Sequence, residues 1–352
     1  MNARADKLRR ELSRLGASTF LVSAPVNVEY LTGFESTNAV ALVGDDGVQL
    51  VTDGRYIEAA RGIEGVEAVE GERDLLAWLA TRLGRLAASP VAFEAAHVSF
   101  AAYETLGEGG VELRPTRGVV EAIRAVKDER ELEAIRGAAR VLDEMYERLA
   151  DERIVGRTEA ELAWWVERTL REGGADGLAF PVIVGSGPNA ALPHHHPGDR
   201  EIRAGETVIV DAGARVDRYC SDCTRTFATG GLPDELRRAY EVCLEAQERA
   251  LAGVAPGSEA RELDALARAV LEEAALADVL HGLGHGVGLD VHELPRLASN
   301  SQARLEPGNV VTVEPGVYLA GRGGVRIEDL VVVMDAGADV LTPFSKDLHV
   351  LH

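Results

Sequence analysis

The segment ETVIVDAGARVDRYCSDCTRTF, residues 206–227, contains two strand-forming runs joined by a polar junction. A two-residue hairpin loop centred on Val216 and Asp217 would place Asp211 directly opposite Asp222. Facing residues of an antiparallel pair have Cβ atoms about 4.5–5.5 Å apart, and like charges there are destabilising. The hairpin therefore predicts that a cation lies between these two carboxylates.

A second acidic hairpin follows in NVVTVEPGVYLAGRGGVRIEDLVVV, residues 309–333. A glycine-rich turn near Gly321 makes Glu314 and Glu328 equidistant from its centre. Four carboxylates on facing strands, without an evident Arg or Lys partner beside each, predict a metal site. The two hairpins bracket two helical segments, so we expect two similar halves that each donate one carboxylate pair to a shared centre. This layout predicts a curved sheet with helices on its outer face.

Histidines add imidazole ligands to the same region. Six of the nine histidines form two clusters, His194, His195 and His196, and then His281, His285 and His292. The second cluster, in HGLGHGVGLDVHE, lies between the acidic hairpins. Four carboxylates and an imidazole are too anionic for one divalent ion but suit two, with manganese, cobalt, zinc or iron favoured by oxygen and nitrogen ligands. Because two such ions polarise a carbonyl group and acidify a shared water, the pattern indicates a hydrolytic centre.

Composition excludes several other classes of protein. The 352 residues carry a net charge of −21, which argues against nucleic acid and anionic membranes as partners. No apolar run of about 18 residues predicts a transmembrane helix. The first 16 residues are typical of an amphipathic helix and lack the apolar core of a signal peptide, so we expect a cytoplasmic protein.

The chain is long enough for two domains, and a boundary near residues 118–127 predicts domains 1–122 and 123–352. The front part alternates helices and strands: a strand in STFLVSA, a hairpin turned on GDDG, a helix in DLLAWLATRLGRLA and a strand in PVAFEA. Capping boxes beginning at Asp128 and Thr158 predict two helix starts. Further helices are expected at 234–251 and 258–277.

Two smaller motifs are interpreted structurally. Cys220 and Cys223 match C-x-x-C, but residues three apart on a strand point to opposite faces, so we expect packing thiols. Asp53 and Arg55 in TDGRY look exposed, and a salt bridge or cap is the favoured interpretation.

Six motifs together resemble those of one enzyme family. They are, in order, LPH (His194), VDAG (Asp211), SDCTRTF (Asp222), HGLGHGVGLDVHE (His285, His292), VEPGVYL (Glu314) and GVRIEDLVVV (Glu328). The series resembles the Xaa-Pro peptidases, aminopeptidase P and prolidase, over roughly residues 190–333. The resemblance implies an α/β fold: an N-terminal creatinase-type α/β domain, then a C-terminal pita-bread metallopeptidase domain with a curved, mostly antiparallel sheet and outer helices.

The resemblance also implies a dinuclear metal site. Asp211 and Asp222 would hold one ion, and Asp222 would bridge to the second. His285 and Glu314 would bind that second ion, and Glu328 would bridge both. Manganese is the expected metal, with cobalt or zinc as alternatives.

The remaining roles follow from the same resemblance. Glu314 would act as general base, and His194 and His292 would steady the scissile carbonyl and its oxyanion. Tyr318 and Arg326 match supporting positions behind the site, and His281 matches a pocket position near the proline. His195 and His196 match no family position; a polar loop is the favoured interpretation, and substrate contact is the alternative.

The expected activity is that of an Xaa-Pro aminopeptidase, in which a hydroxide held between two ions attacks the bond before proline. A strict Xaa-Pro dipeptidase, or prolidase, shares every ligand and is the alternative; an arginine reaching the dipeptide carboxylate would favour it, and Arg55 is a candidate. A methionine aminopeptidase is a further alternative that shares the fold, but those enzymes generally lack a long N-terminal domain such as this chain has. A non-catalytic peptide-binding module is the remote alternative, but such relatives have lost the metal ligands, and here all five positions are occupied. Expected partners are small peptides with proline second and further copies of the chain, as a dimer or tetramer.

Overall fold

The computed structural model describes residues 3–276 and 281–352. The chain divides into two compact units, Met1–Arg124 and Ala125–His352. The first two residues of the expected N-terminal helix, and residue 277 at the end of the expected helix 258–277, lie outside the described residues. No helix in the described part of the chain has both the length and the apolar character needed to cross a membrane.

The first unit is built on a mixed six-stranded sheet. Its strands are β1 Thr19–Val22, β2 Ala39–Gly44, β3 Gly47–Asp53, β4 Glu67–Gly71, β5 Val91–Glu94 and β6 Leu113–Thr116. Their order is β4-β3-β2-β1-β5-β6, with parallel pairing of β3 to β4, β1 to β5 and β5 to β6. The helices are α1 Ala3–Leu15, α2 Pro25–Thr32, α3 Ile57–Ala60, α4 Leu75–Ala80, α5 Leu83–Leu86, α6 Phe100–Gly107 and α7 Val119–Ala125.

The predicted hairpin on GDDG is confirmed, because Gly44 pairs with Gly47 across a two-residue loop. The helix predicted over residues 74–87 instead forms as two short helices, α4 and α5. Thr81 lies at this break, and its hydroxyl donates to the carbonyl of Trp78 (2.9 Å). The side chain thus satisfies a carbonyl at the end of α4.

The second unit combines long helices with antiparallel strands. Its helices are α8 Glu129–Leu149, α9 Glu159–Glu172, α10 Asp234–Ala252 and α11 Ala260–Glu273, with a 3₁₀ helix at Gly187–Ala191. The strands are β7 Gly177–Leu178, β8 Ile183–Ser186, β9 Thr207–Ala212, β10 Ala214–Val216, β11 Tyr219–Cys220, β12 Cys223–Ala228, β13 Gly284–Gly286, β14 Glu293–Leu297, β15 Val310–Val313, β16 Gly316–Leu319, β17 Gly323–Arg326, β18 Asp329–Val333 and β19 Ala338–Val340. Every pairing described between these strands is antiparallel.

Capping boxes start the first two long helices, as predicted. The carboxylate of Asp128 accepts from the backbone N–H of Glu131, and the Glu131 side chain accepts from the N–H of Asp128. Thr158 and Glu161 form the same reciprocal pair at the start of α9. Each box satisfies backbone donors that the helix itself leaves unpaired.

Each half of the second unit has its own helix pair and its own core. Helices α8 and α9 pack against β8, β9 and β12 through residues that include Leu142, Met145, Leu162, Val166, Val184, Val208 and Val210. Helices α10 and α11 pack against β15, β17 and β18 through residues that include Leu236, Ala246, Leu263, Val270, Val311, Val325 and Val331. Strands β9, β15 and β18 are rich in valine and isoleucine, which favour β-structure. This arrangement agrees with the two similar halves expected from the sequence.

Candidate metal centre

The first acidic hairpin is formed by β9 and β12, with a narrower extension through β10 and β11. Asp211 pairs with Thr224, and Val216 pairs with Tyr219. The two loop residues are Asp217 and Arg218, both at positive φ (47° and 76°). The predicted loop on Val216 and Asp217, and the predicted facing of Asp211 by Asp222, are therefore wrong. A β-branched valine resists the left-handed conformation that both loop positions of this turn need, so the turn lies one residue later.

The second acidic hairpin has the predicted register. Val313 pairs with Asp329 in the β15–β18 ladder, and Gly316 pairs with Arg326 in β16–β17. Both ladders place position 314 opposite position 328. Gly321, at φ 74°, lies in the turn.

Thr224 joins the two hairpins. Its hydroxyl donates to Oε2 of Glu328 at 2.7 Å, and its carbonyl accepts from the backbone N–H of Glu328 at 3.1 Å. Thr224 thus fixes the orientation of the Glu328 carboxylate relative to Asp211, its own partner in the first hairpin. Thr224 was not among the predicted site residues, although the alternation of Thr224 and Thr226 on one face of β12 was an available signal.

His285 lies between the carboxylates. Its Nε2 is 3.3 Å from Oε1 of Glu314 and 3.6 Å from Oδ2 of Asp222. Donor atoms from Asp222, His285 and Glu328 all lie within 4.8 Å of one another. Three residues from three segments of the chain therefore converge on one point.

Glycines on either side let His285 reach this point. A side chain at Gly284 would collide with the carbonyl of Thr312, and one at Gly286 would collide with the carbonyl of Leu294. Glycine is needed at these two positions because the backbone of β13 runs directly against its neighbours.

Charges in the cluster are unbalanced without a cation. Burial raises the pKa of Asp222 well above its usual range, and the nearby Glu328, Asp211 and Glu314 raise it further. Burial followed by Glu314 and Asp211 has the same effect on the pKa of Glu328. Four carboxylates are thus close together, and Arg326 and His285 offset their charge only in part, which is the electrostatic condition that a divalent ion relieves.

Asp211 supplies a second indication that the cluster binds a cation. Its Oδ1 is buried and has no hydrogen-bond partner within residues 3–276 and 281–352. Buried carboxylate oxygens are ordinarily satisfied, so an unpaired one beside other acidic groups fits metal coordination. The oxygen and nitrogen donors of the five predicted ligands thus fit divalent ions.

Glu314 differs from the other carboxylates. Burial opposes its ionisation, but the hydrogen bond and charge of His285 outweigh burial and lower the pKa of Glu314 to about 2. The hydroxyl of Thr312 lies 3.3 Å from Oε1. Glu314 is therefore ionised at neutral pH and able to accept a proton.

A hydrogen-bonded chain lies beside the acidic cluster. Nε2 of His281 is 2.8 Å from the hydroxyl of Tyr318, which in turn accepts from Nη1 of Arg326 (3.1 Å). Arg326 also donates to Oδ2 of Asp211 (2.6 Å) and, through Nε, to Thr224 (3.0 Å). The structure thus brings together all three predicted supporting residues.

The predicted substrate-side histidines also lie near the cluster. The rings of His292 and His285 meet edge to face with centroids 4.3 Å apart. His194 is close enough to His292 to act on its pKa, which burial, His285 and His194 lower. The carbonyl of Pro193, next to His194, accepts from Nη1 of Arg326 (3.2 Å).

The structure also settles the two smaller motifs. Cys220 and Cys223 are buried, unpaired thiols on different strands, and burial raises the pKa of each. Arg55 donates from Nε and Nη2 to the two oxygens of Asp53 at 3.0 and 2.7 Å, so the predicted salt bridge is confirmed. The exposure inferred for Asp53 is wrong, because only 3% of that residue is accessible.

Comparisons with known families agree with this geometry. Residues 133–335 match the model of metallopeptidase family M24, and residues 4–126 match the creatinase/prolidase N-terminal domain. The first match covers the acidic hairpins and both histidine clusters. Together with the antiparallel second unit, these matches confirm the fold class expected from the sequence.

Individual relatives extend over the whole chain. The Xaa-Pro dipeptidase of Pyrococcus furiosus is 32% identical over 99% of this chain and 100% of its own length. The structure of an Xaa-Pro dipeptidase from Bacillus anthracis superposes with a TM-score of 0.94 at 36% identity, covering 99% of both chains. An X-Pro aminopeptidase from Thermotoga maritima gives a TM-score of 0.90 at 33% identity, again over 99% of both chains.

Proposed function

The chain belongs to metallopeptidase family M24, and on that basis we propose that it is an Xaa-Pro dipeptidase that uses two divalent metal ions. The observation that carries the proposal is the convergence of Asp222, His285 and Glu328 within 4.8 Å, beside the unpaired Oδ1 of Asp211. Each of these residues occupies a motif position that the sequence series predicted.

The likeness to dipeptidases guides the choice of substrate length. Proteins named Xaa-Pro dipeptidase match the chain end to end at 32–36% identity. An aminopeptidase acting on longer peptides was the leading expectation from the sequence, and the comparisons favour the alternative, a dipeptidase. A dipeptide substrate is therefore the proposal, and a tripeptide is the competing outcome of the test.

Asp211, Asp222, His285, Glu314 and Glu328 would hold the ions. When bound, the ions would supply an activated water and a polarised scissile carbonyl. Burial and the acidic neighbours suit these side chains to this task, since bound divalent ions would offset the mutual repulsion that remains.

Side chains of the protein would accept the proton of the attacking water and stabilise the oxyanion that develops. Glu314, ionised because of its low pKa, accepts the proton of the attacking water. The lowered pKa of His292 keeps its imidazole neutral at pH 7, with one N–H able to donate to the developing oxyanion. His194 is proposed to share this role. Tyr318 and Arg326 hold the walls of the site in position through their hydrogen bonds.

Paired substrates test the proposal directly. Ala-Pro and Ala-Pro-Gly are supplied separately to protein that has been stripped by chelator and reloaded with Mn²⁺, Co²⁺ or Zn²⁺, with Ala-Ala as the control for proline. The proposal predicts metal-dependent release of proline from Ala-Pro and much slower cleavage of the tripeptide. Preferential cleavage of the tripeptide would instead identify the protein as an Xaa-Pro aminopeptidase. No cleavage of either peptide with any metal would overturn the peptidase assignment.

Three further expectations remain part of the proposal. Manganese is the expected resident metal, and the reloading series above compares it with cobalt and zinc. A dimer or tetramer is expected, which sedimentation measures. A cytoplasmic location is also expected, and fractionation of the source cells tests it.

A further inference from the structure

Glu159, the first residue of α9, is a fully buried carboxylate with an unusual number of donors. Oε1 accepts from the backbone N–H of Ser186 (2.8 Å) and from its hydroxyl (2.7 Å). Nδ2 of Asn189 lies 3.1 Å from both carboxylate oxygens, and Nε2 of His195 lies 2.8 Å from Oε2. A buried carboxylate requires such donors, and an ionised one can only accept, so Nε2 of His195 carries a hydrogen.

The start of α9 also holds the backbone that follows. The N–H of Glu159 donates to the carbonyl of Arg200, and the N–H of Ala160 donates to the carbonyl of Gly198, both at 3.0 Å. Nη1 of Arg200 donates back to the hydroxyl of Ser186 at 2.6 Å. Residues 186–200 are therefore tied to this helix at both ends and, through His195, near the middle.

His194 lies inside this segment, between two anchored neighbours. On one side, the carbonyl of Pro193 accepts from Arg326, the same guanidinium that binds Asp211. On the other side, the ring of His195 is held by Glu159. The conformation at position 194 is thus fixed from the acidic cluster and from α9 together.

We propose that Glu159 is a positioning residue that acts through His195 to orient His194 toward the scissile carbonyl. The inference rests on the proposed function, because it assigns His194 a task on substrate. It also distinguishes two neighbouring histidines: His194 would contact the substrate, whereas His195 bonds the buried carboxylate of Glu159. The sequence alone favoured a polar loop for His195, with substrate contact as the alternative; its bond to Glu159 indicates a structural contact instead.

The kinetic test uses Glu159→Gln and His195→Asn, with Glu161→Gln as the matched control. Glu161 belongs to the same helical turn, and its hydrogen bonds within the described part of the chain join it to Thr158 and not to residues 186–200. The two positioning variants should lower kcat for Ala-Pro by about 10- to 100-fold, since displacement by about 1 Å can cost 100-fold. Their KM and metal affinity should stay close to those of the wild type, and Glu161→Gln should retain normal kcat.

A double-mutant cycle separates positioning from general damage. Placed in a His194→Ala background, Glu159→Gln should cost nothing further, because the group that it positions is gone. An equal loss in both backgrounds, or an equal loss from Glu161→Gln, would overturn the inference.

A second readout needs no turnover. In histidine-ring NMR spectra, the signal lost in His194→Ala identifies the His194 ring. Glu159→Gln should shift or broaden that signal, and Glu161→Gln should not. A wild-type protein that cleaves no Xaa-Pro peptide while its His194 signal still responds to Glu159 would reject the proposed function and uphold the positioning. An unchanged His194 signal would overturn the positioning whatever the activity.

Discussion

Arg326 binds one oxygen of Asp211 and leaves the other available. Its Nη2 donates to Oδ2 at 2.6 Å, whereas Oδ1 is buried and has no hydrogen-bond partner in the described part of the chain. The guanidinium therefore holds Asp211 through one oxygen and leaves the other able to bind an ion. A planar fork with several donors suits this task better than a single ammonium.

Arg326→Lys is expected to weaken metal binding by about 10- to 100-fold, the usual effect of removing a group that orients a ligand. It should also lower the free energy of unfolding by about 1–3 kcal/mol, because buried acceptors lose their donors. Calorimetric metal titration and urea unfolding measure the two effects. Arg322→Lys, in the same hairpin but exposed, is the control and should change neither. Unaltered metal affinity in Arg326→Lys would contradict this role.

Asp222→Asn should reduce turnover by more than about 100-fold, since a ligand matters at least as much as the groups that support it. The metal-free variant should be no less stable than the metal-free wild type at pH 7, because one member of a buried like-charge cluster is neutral. Metal should therefore raise the melting temperature of the wild type but not of the variant. Thermal scans with metal and with chelator measure this difference.

The control for that substitution is Asp217→Asn, an exposed turn residue of the same hairpin whose positive φ asparagine also tolerates. It should keep full activity and the full metal-induced shift. A normal metal-induced shift in Asp222→Asn would remove Asp222 from the ligand set.

Tyr146 supports the first hairpin from α8. Its buried hydroxyl lies 3.0 Å from the carbonyl of Val210 and 2.7 Å from that of Cys223, the neighbours of Asp211 and Asp222. Tyr146→Phe should lower the free energy of unfolding by about 1–2 kcal/mol and weaken metal binding. Tyr240→Phe, which removes a hydroxyl bonded to the carbonyl of Lys346, should match the stability loss and leave metal binding intact. Equal metal affinities in the two variants would contradict the hairpin role.

The raised pKa of Asp143 predicts that the free energy of unfolding depends on pH. Burial raises its pKa from 3.8 to about 6, against the opposing effects of the Phe344 N–H and Arg225. Between pH 4 and pH 6 the folded state therefore binds more protons here than the unfolded state, so this group's contribution to stability falls as pH rises. Asp143→Asn removes that loss. Between pH 4 and pH 7 the free energy of unfolding of the variant should therefore rise relative to that of the wild type by on the order of 1 kcal/mol, a figure that allows for the partial exposure of the side chain. Urea unfolding at both pH values measures the gain; a constant difference would contradict it.

Sequence patterns singled out the residues of the acidic cluster because each one interrupts a strand or a glycine-rich run with a group that an apolar core would exclude; their role as metal ligands stays a prediction. They also predicted the register of the second hairpin, where glycines mark the turn. In the first hairpin the turn lies one residue later than predicted, because positive φ is costly at Val216, and Asp211 therefore faces Thr224 instead of Asp222, a shift of two residues in register. Thr224 and Thr226 alternate along β12, and this alternation was the sequence signal for the role of Thr224.

Contacts between segments that lie far apart in the sequence could not be predicted. Glu159 reads as an ordinary residue of a helical first turn, and nothing local indicates that it meets His195. Thr224 likewise meets Glu328 only after two hairpins have come together. Such pairs depend on tertiary packing, which periodicity and capping signals do not encode.

The bond between Thr224 and Glu328 spans 104 residues of chain. A polypeptide emerging from the ribosome completes the first acidic hairpin long before Glu314 and Glu328 are synthesised. Closure of so long a loop is late and slow, so the nascent protein offers passing metal ions only a fraction of its donors until its last strands are in place. Under the proposed ligand assignment, a chain truncated before residue 314 would lack two of the five ligands, Glu314 and Glu328, so retention of metal would depend on completion of the last strands.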